Sequence, residues 1–214
     1  MKIPENISPL NNGQYCIECF HNEVERIFEN NKTFYHCTSC QKTFPRSLVI
    51  DNAITSWIEK DGTYWHESVG VIIKNKEKQV FCIARDIYPF AHALPAGHLD
   101  AGENPRHAAE REVKEEIGIQ LPELKFIGRF PISGDECRRG CDDHMWNLFV
   151  TNKPDDFQPK LSDEASSALW LSKDELLNRD DVVYPLRYVM QHFESEIFLV
   201  DSPPQSHSSV AEQT

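Results

Sequence analysis

Long apolar runs are missing from this chain. Nowhere do its 214 residues approach the roughly 18 consecutive apolar positions that a membrane-spanning helix needs, so no span is expected. Residues 1–14 lack the apolar segment of a secretory signal, which makes the cytoplasm the expected compartment. A long basic block is missing too. Acidic residues number 34 against 22 basic ones, for a formal net charge of -12. That balance argues against a nucleic-acid backbone as the main partner. An acidic chain that handles phosphorylated compounds needs metal ions or local basic residues to offset repulsion. No internal repeat is visible.

Cysteine is present in an informative arrangement. Four of the seven fall in two C-x-x-C pairs, Cys16/Cys19 and Cys37/Cys40, in the segments CIEC and CTSC. An odd total with paired spacing reads as metal ligation before disulfides. Between the pairs, VERIFENNKTFYHC reads as a strand, an ENNK turn and a second strand, which places each pair at a turn. Four thiolates brought together in this way suit structural Zn²⁺ and leave no open coordination position. A segment of this size buries too little to fold unaided, so the metal would supply the missing stability. Cys82, Cys137 and Cys141 are left over. Cys137, Cys141 and His144 have a loose ligand-like spacing but lack a fourth member.

Pattern divides the chain into a flexible arm at 1–12, a zinc ribbon at 13–48, a linker at 49–65, a main domain at 66–200 and a disordered polar tail at 201–214. Within the main domain, SVGVIIKNKEKQVFCIAR reads as a hairpin, while LKFIGRFPI and HMWNLFVTN read as strands. NPRHAAEREVKEEIG reads as a helix, with Asn104 as N-cap, Pro105 at its first position and Gly118 as the stop. ALWLSKDELLNR is a strand running into a helix capped by Ser172, and PLRYVMQHFESEIFLV is a closing helix. Strands mixed with two or three helices predict an α/β fold, a mixed sheet with helices on its faces.

The helix at 105–117 carries an unusual charge pattern. Ala109, Val113 and Ile117 form its apolar stripe. Glu112, Glu115 and Glu116 share a neighbouring face, where like charges repel by about 0.2–0.5 kcal/mol per pair. A hard divalent cation between them, Mg²⁺ or Mn²⁺, turns that repulsion into a binding site that also takes phosphate. A solvated acidic face is the alternative on helix geometry alone.

The flanking residues identify the segment more closely. Gly97, Glu103, Arg111, Glu112, Val113, Glu115, Glu116, Gly118 and Ile119 fill every fixed place of G-x5-E-x7-R-E-U-x-E-E-x-G-U, where U is bulky and apolar. The chain therefore resembles the Nudix hydrolases, over most of residues 66–195. The resemblance implies a three-layer α/β/α sandwich and Mg²⁺- or Mn²⁺-dependent hydrolysis of a nucleoside diphosphate linked to a group X. It implies Glu112, Glu115 and Glu116 as metal ligands, with the carbonyl of Ala96 as a further one. Glu103 and Arg111 would orient the loop against the helix, and Gly97 and Gly102 would let it approach metal and phosphate. An acidic residue from outside the box often completes such sites. Glu164 matches that place, with Glu136, Asp142 and Asp143 as rivals.

The four-cysteine ribbon resembles the NADH pyrophosphatase branch of the family. The SQPWPFPxS signature of that branch is absent, and GRFPISGDECRRG stands in its region. LPAGHLDAGE looks more like ADP-ribose pyrophosphatases. Arg129, Arg138 and Arg139 are candidates for a second phosphate, and Tyr88, Phe90 or Trp146 for stacking a base. Gly97 and His98 flank the substrate path, and His92 lies nearby. The expected partner is a small-molecule nucleoside diphosphate derivative of ADP-ribose or NAD(H) type. Two other functions compete: a binding module whose ribbon recognises a partner over a weak Nudix scaffold, and a hydrolase of RNA caps. The family also allows a homodimer.

Overall fold

In the computed structural model, residues 2–121 and 123–198 are described. The expected tail at 201–214 lies outside them. The chain begins with five short strands: β1 (Gly13–Tyr15), β2 (Val24–Glu29), β3 (Lys32–Cys37), β4 (Lys42–Phe44) and β5 (Leu48–Ile50). Strands β2, β3 and β4 form a three-stranded antiparallel sheet, and β1 pairs with β5. Asn30 and Asn31 make the two-residue turn between β2 and β3, at φ 51° and 61°. Two left-handed residues in succession match the twist of a tight hairpin, and asparagine tolerates them well.

The larger sheet contains β6 (Ser56–Ile58), β7 (Tyr64–Lys74), β8 (Val80–Arg85), β9 (His92–Ala93), β10 (Ala96–His98), and, beyond helix α1 (Pro105–Ile117), β11 (Lys125–Ser133), β12 (Asp143–Asn152) and β13 (Ala165–Leu171). Its spine runs β11-β12-β7-β8-β13, with β6 and β10 also paired to β7 and β9 to β8. The β7–β12 pair is parallel, so the sheet is mixed as expected. Helices α2 (Lys173–Asn178), α3 (Tyr184–His192) and α4 (Glu194–Phe198) follow; the closing helix is interrupted at Phe193, whose φ of -125° leaves the helical region.

Alternation along β7 builds the layers. Val69, Val71 and Ile73 face one way and pack with Ala108, Ala109, Val113 and Ile117 of α1. Ile72 faces the other way and packs with Leu148, Leu186 and Met190. Each buried valine, leucine, isoleucine or methionine here contributes about 1.5–3 kcal/mol, which seats α1 on the sheet and fixes where its polar face points.

Two boundaries differ from the sequence reading. Within the expected arm at 1–12, the described residues 2–12 are anchored rather than loose: Ile3 and Ile7 are buried with Leu48, Ile50, Tyr64 and Cys141. Ile3 N–H also donates to the Gly62 carbonyl at 3.0 Å. The 49–65 linker contains β6, which joins the large sheet, and Trp57 stacks on Trp65 at 5.8 Å. Apolar residues spaced too irregularly to suggest an element here still find a shared core between ribbon and sheet.

Candidate active site

Helix α1 is fixed at both ends. The Asn104 side chain accepts from the Arg106 N–H at 2.9 Å, and Gly118, left-handed at φ 69°, donates to the Lys114 carbonyl at 3.0 Å. Between these caps, Glu112, Glu115 and Glu116 border a cleft of about 430 Å³. Ala96 and Gly97, on β10, form the facing wall. A Cβ at Gly97 would lie 2.0–2.2 Å from the Glu112 carboxyl atoms. Only glycine therefore allows strand and carboxylate to approach so closely. The Ala96 N–H donates to Glu116 Oε2 at 2.8 Å.

Arg111 binds the surrounding loop. It donates to Glu103 at 3.1 and 2.9 Å, to Glu112 at 2.6 Å, to Glu115 at 3.4 Å and to the His98 carbonyl at 3.1 Å. Those bonds hold the Glu103 carboxyl below its ordinary range. Burial has the opposite effect deeper in the cleft. It raises Glu112, against the pull of Arg111. It raises Glu116 to about 8, with Arg85 and the Ala96 N–H opposing and Glu112 and Glu164 reinforcing. Carboxylates crowded in this way are short of positive charge. Hard oxygen donors on one helix face, beside a backbone cradle, fit Mg²⁺ or Mn²⁺.

The structure brings Glu164 to the same cleft, where its carboxylate meets Arg138 at 3.3 Å. Of its rivals, Glu136 also lines the cleft but is engaged by other side chains, and Asp142 and Asp143 are not among the lining residues. Glu136 pairs with Arg46 at 2.7 Å and accepts from the Tyr88 hydroxyl, Asp142 also pairs with Arg46, and Asp143 accepts from the Gly134 N–H at 3.3 Å. Arg139 borders the cleft but is bound to Asp51 at 2.6 Å. Arg129 is not brought there, because its guanidinium forms a two-bond pair with Glu67 at 2.8 and 3.1 Å. Trp146 lines the cleft and donates to Asp135 at 2.7 Å, whereas Phe90 packs on Phe34 of the ribbon.

The sequence reading missed Arg85, His66 and Asp135. Arg85 ends an otherwise apolar strand, which was the available signal; it lines the cleft with its Nε buried and without a partner. His66 emerges only from strand pairing, and Asp135 from the loop after β11, where it meets His144 and Trp146. His66, His98, Cys137 and His144 each offer a ligand atom within 4.8 Å of the others. The Cys137–His144 spacing thus acquires two partners from distant strands. Cys141 stays outside the group, its thiol facing the Tyr64 and Asp143 carbonyls at 3.2 and 2.7 Å.

In the ribbon, Cys16, Cys19, Cys37 and Cys40 also converge within 4.8 Å, with Sγ–Sγ distances of 3.8 Å for Cys16–Cys40 and 3.6 Å for Cys19–Cys37. A tetrahedral ion with Zn–S bonds of about 2.3 Å separates its sulfurs by about 3.8 Å, so the geometry fits zinc. The residue after each pair, Phe20 and Gln41, is left-handed at φ 58° and 56°. Backbone N–H groups of Cys40 and Ser39 lower the Cys37 thiol to about 7, despite burial, which favours the thiolate that a metal needs.

The NUDIX domain family model matches residues 64–193, more than half of the chain. The chain belongs to the Nudix family. Nudix hydrolase 26, chloroplastic, of Arabidopsis thaliana is 40% identical over 60 residues, covering 28% of each protein. An RNA pyrophosphohydrolase of Hydrogenovibrio crunogenus is 38% identical over 72 residues, 34% of this chain and 42% of that one. The matched regions thus span less than half the length of these curated relatives. Among solved structures, the MutT protein from Methanosarcina mazei Go1 superposes with a TM-score of 0.52 at 21% identity, over 62% of this chain and 94% of that one. The Nudix hydrolase RenU from M. smegmatis gives a TM-score of 0.52 at 15% identity, over 70% and 98%. At such identities the likeness is one of fold.

Proposed function

We propose that this Nudix protein is a divalent-metal-dependent pyrophosphohydrolase that cleaves the phosphoanhydride of a nucleoside diphosphate linked to X, of ADP-ribose or NAD(H) type. The observation that carries the reading is the pocket in which Gly97 admits the Glu112 carboxyl against β10, beside Glu116 and Glu115. A structural helix has no use for a strand opened in this way to a carboxylate. The names of several relatives, RNA pyrophosphohydrolases among them, support phosphoanhydride chemistry as the class.

Glu112, Glu115 and Glu116 would hold Mg²⁺ or Mn²⁺, with the Ala96 carbonyl as a further ligand. Bound there, the ion neutralises phosphate charge and acidifies water. The protein's own part is orientation and proton transfer. Arg111 holds the loop to the helix through Glu103. Either Glu112 or Glu116 would accept the proton of the attacking water. Arg138, beside Glu164, faces the cleft as the arginine for the non-reacting phosphate, while Trp146 supplies an aromatic wall. Zinc in the ribbon is structural, and the 13–48 segment would fold around it.

The test is product analysis. With Mg²⁺, ADP-ribose is expected to yield AMP and ribose 5-phosphate, with one water consumed per bond broken. NADH, dinucleoside polyphosphates and capped RNA assayed in parallel rank the X groups. No cleavage of any phosphoanhydride would refute the reading and favour the binding-module alternative.

A further inference from the structure

A second cluster of metal-type ligands adjoins the cleft, apart from the carboxylates and from the ribbon. Strand pairing creates it. His144 on β12 is the register partner of His66 on β7, and His98 on β10 is the partner of Ser68, two residues further along β7. Residues two apart on a strand share a face, so all three imidazoles stand on one side of the sheet. Cys137 reaches them from the 134–142 loop, which is closed by bonds from Cys137 N–H to the Cys141 carbonyl at 2.9 Å and from Gly140 N–H to the Cys137 carbonyl at 3.1 Å.

We infer that His66, His98, Cys137 and His144 bind a second zinc ion. The distances suit it. His66 Nδ1 lies 3.1 Å from His98 Nε2 and 3.7 Å from Cys137 Sγ. Around a tetrahedral zinc with bonds of about 2.1 Å to nitrogen and 2.3 Å to sulfur, those edges are about 3.4 and 3.6 Å. The partners of the imidazoles suit it as well. His144 Nδ1 is occupied by Asp135, 2.8 Å from its carbonyl and 3.1 Å from its carboxylate, which leaves Nε2 for the cluster. A carboxylate behind a histidine is the usual outer support of a metal ligand. His66 is fully buried; its Nδ1 meets other members of the cluster, its ring packs edge-on against Tyr64 at 4.5 Å, and its Nε2 has no hydrogen-bond partner among the described residues. Without a cation, the Nδ1 of this buried imidazole would have only an imidazole and a thiol as polar partners. Three nitrogens and one thiolate select a late first-row ion such as zinc over Mg²⁺.

Four protein ligands close the site, so its role is to position. Cys137 and His98 flank the two halves of the cleft: His98 follows Gly97, and Cys137 precedes Arg138, which pairs with Glu164. The ion would pin the arginine-bearing loop to the Gly97 strand. His98 is then a metal ligand and not a substrate contact. This inference stands whether or not the hydrolase reading holds.

The test uses the full chain, purified without chelator and dialysed against excess Mg²⁺ so that zinc does not occupy the carboxylates. Elemental analysis is expected to find two zinc ions per chain. X-ray absorption at the zinc edge is expected to show mixed sulfur and nitrogen scattering, averaging the four-sulfur shell with one of three nitrogens and a sulfur. Cys137→Ser should fall to one zinc with an all-sulfur shell. If that variant does not fold, His98→Gln, at a partly exposed position, serves in its place with the same expectation. One zinc with only sulfur neighbours in the unaltered protein, or two retained in the variant, would overturn the inference.

Discussion

Glu116 lies in the cleft against β10, where it accepts the Ala96 N–H. Its carboxyl is raised from 4.5 to about 8 by burial, so the folded, metal-free protein binds a proton there that the unfolded chain has released. Stability from this group is therefore complete below about 4.5 and is lost as pH rises towards about 8. Metal must displace that proton. The affinity for Mg²⁺ should rise with pH across the same window, and calorimetry in buffers of different ionisation heat should record proton release. The two neighbouring arginines separate by their partners. Arg139 is bound to Asp51, whereas Arg138 pairs with the half-exposed Glu164 carboxylate in the cleft. Arg138→Ala is expected to raise KM more than it lowers kcat, and Arg139→Ala to act mainly on the melting temperature. Unaltered kinetics in Arg138→Ala would leave Arg138 as a solubilising surface residue.

Most elements were legible in the sequence because their signals are local. The caps of α1 at Asn104 and Gly118 appear as expected, and Ser172 forms a capping box with Glu175. Period and cap chemistry act within one turn, so no tertiary knowledge was required. The glutamate face is legible for the same reason. What stayed hidden depends on which strands lie side by side. Nothing near His66 in sequence announces His144 or His98, and Arg129 looked like a phosphate ligand until β7 supplied Glu67. The β10–α1 junction also yields a sharp expectation. In Gly97→Ala the new methyl would overlap the Glu112 carboxyl, so strand or helix must shift. Mg²⁺ affinity and turnover should both fall, by about 10²-fold or more, since displacement by 1 Å has that effect on positioned groups. An alanine variant with unaltered Mg²⁺ dependence would show that the approach is incidental.

Ribbon and Nudix domain meet through a core of their own, in which Ile3, Ile7, Leu48 and Tyr64 are buried together. Irregular spacing concealed that core and led to the expectation of a loose arm. Through this contact a metal held by the four cysteines would matter beyond the ribbon. Cys37→Ser should lower the melting temperature and release one zinc ion, while kcat of the folded fraction changes little. An unchanged melting curve would contradict a structural role. Across the whole molecule the central claim is that the carboxylates of α1 bind a catalytic metal. The most direct measurement is turnover of ADP-ribose across a Mg²⁺ titration, for the unaltered chain and for Glu116→Gln, which keeps size and helix propensity while removing one charge. The expected result is a loss of kcat on the order of 10²-fold or more with weakened Mg²⁺ dependence, as several kcal/mol of metal stabilisation are forfeited. Turnover and Mg²⁺ dependence equal to those of the unaltered chain would contradict the claim, and would return Glu116 to an ordinary acidic helix face.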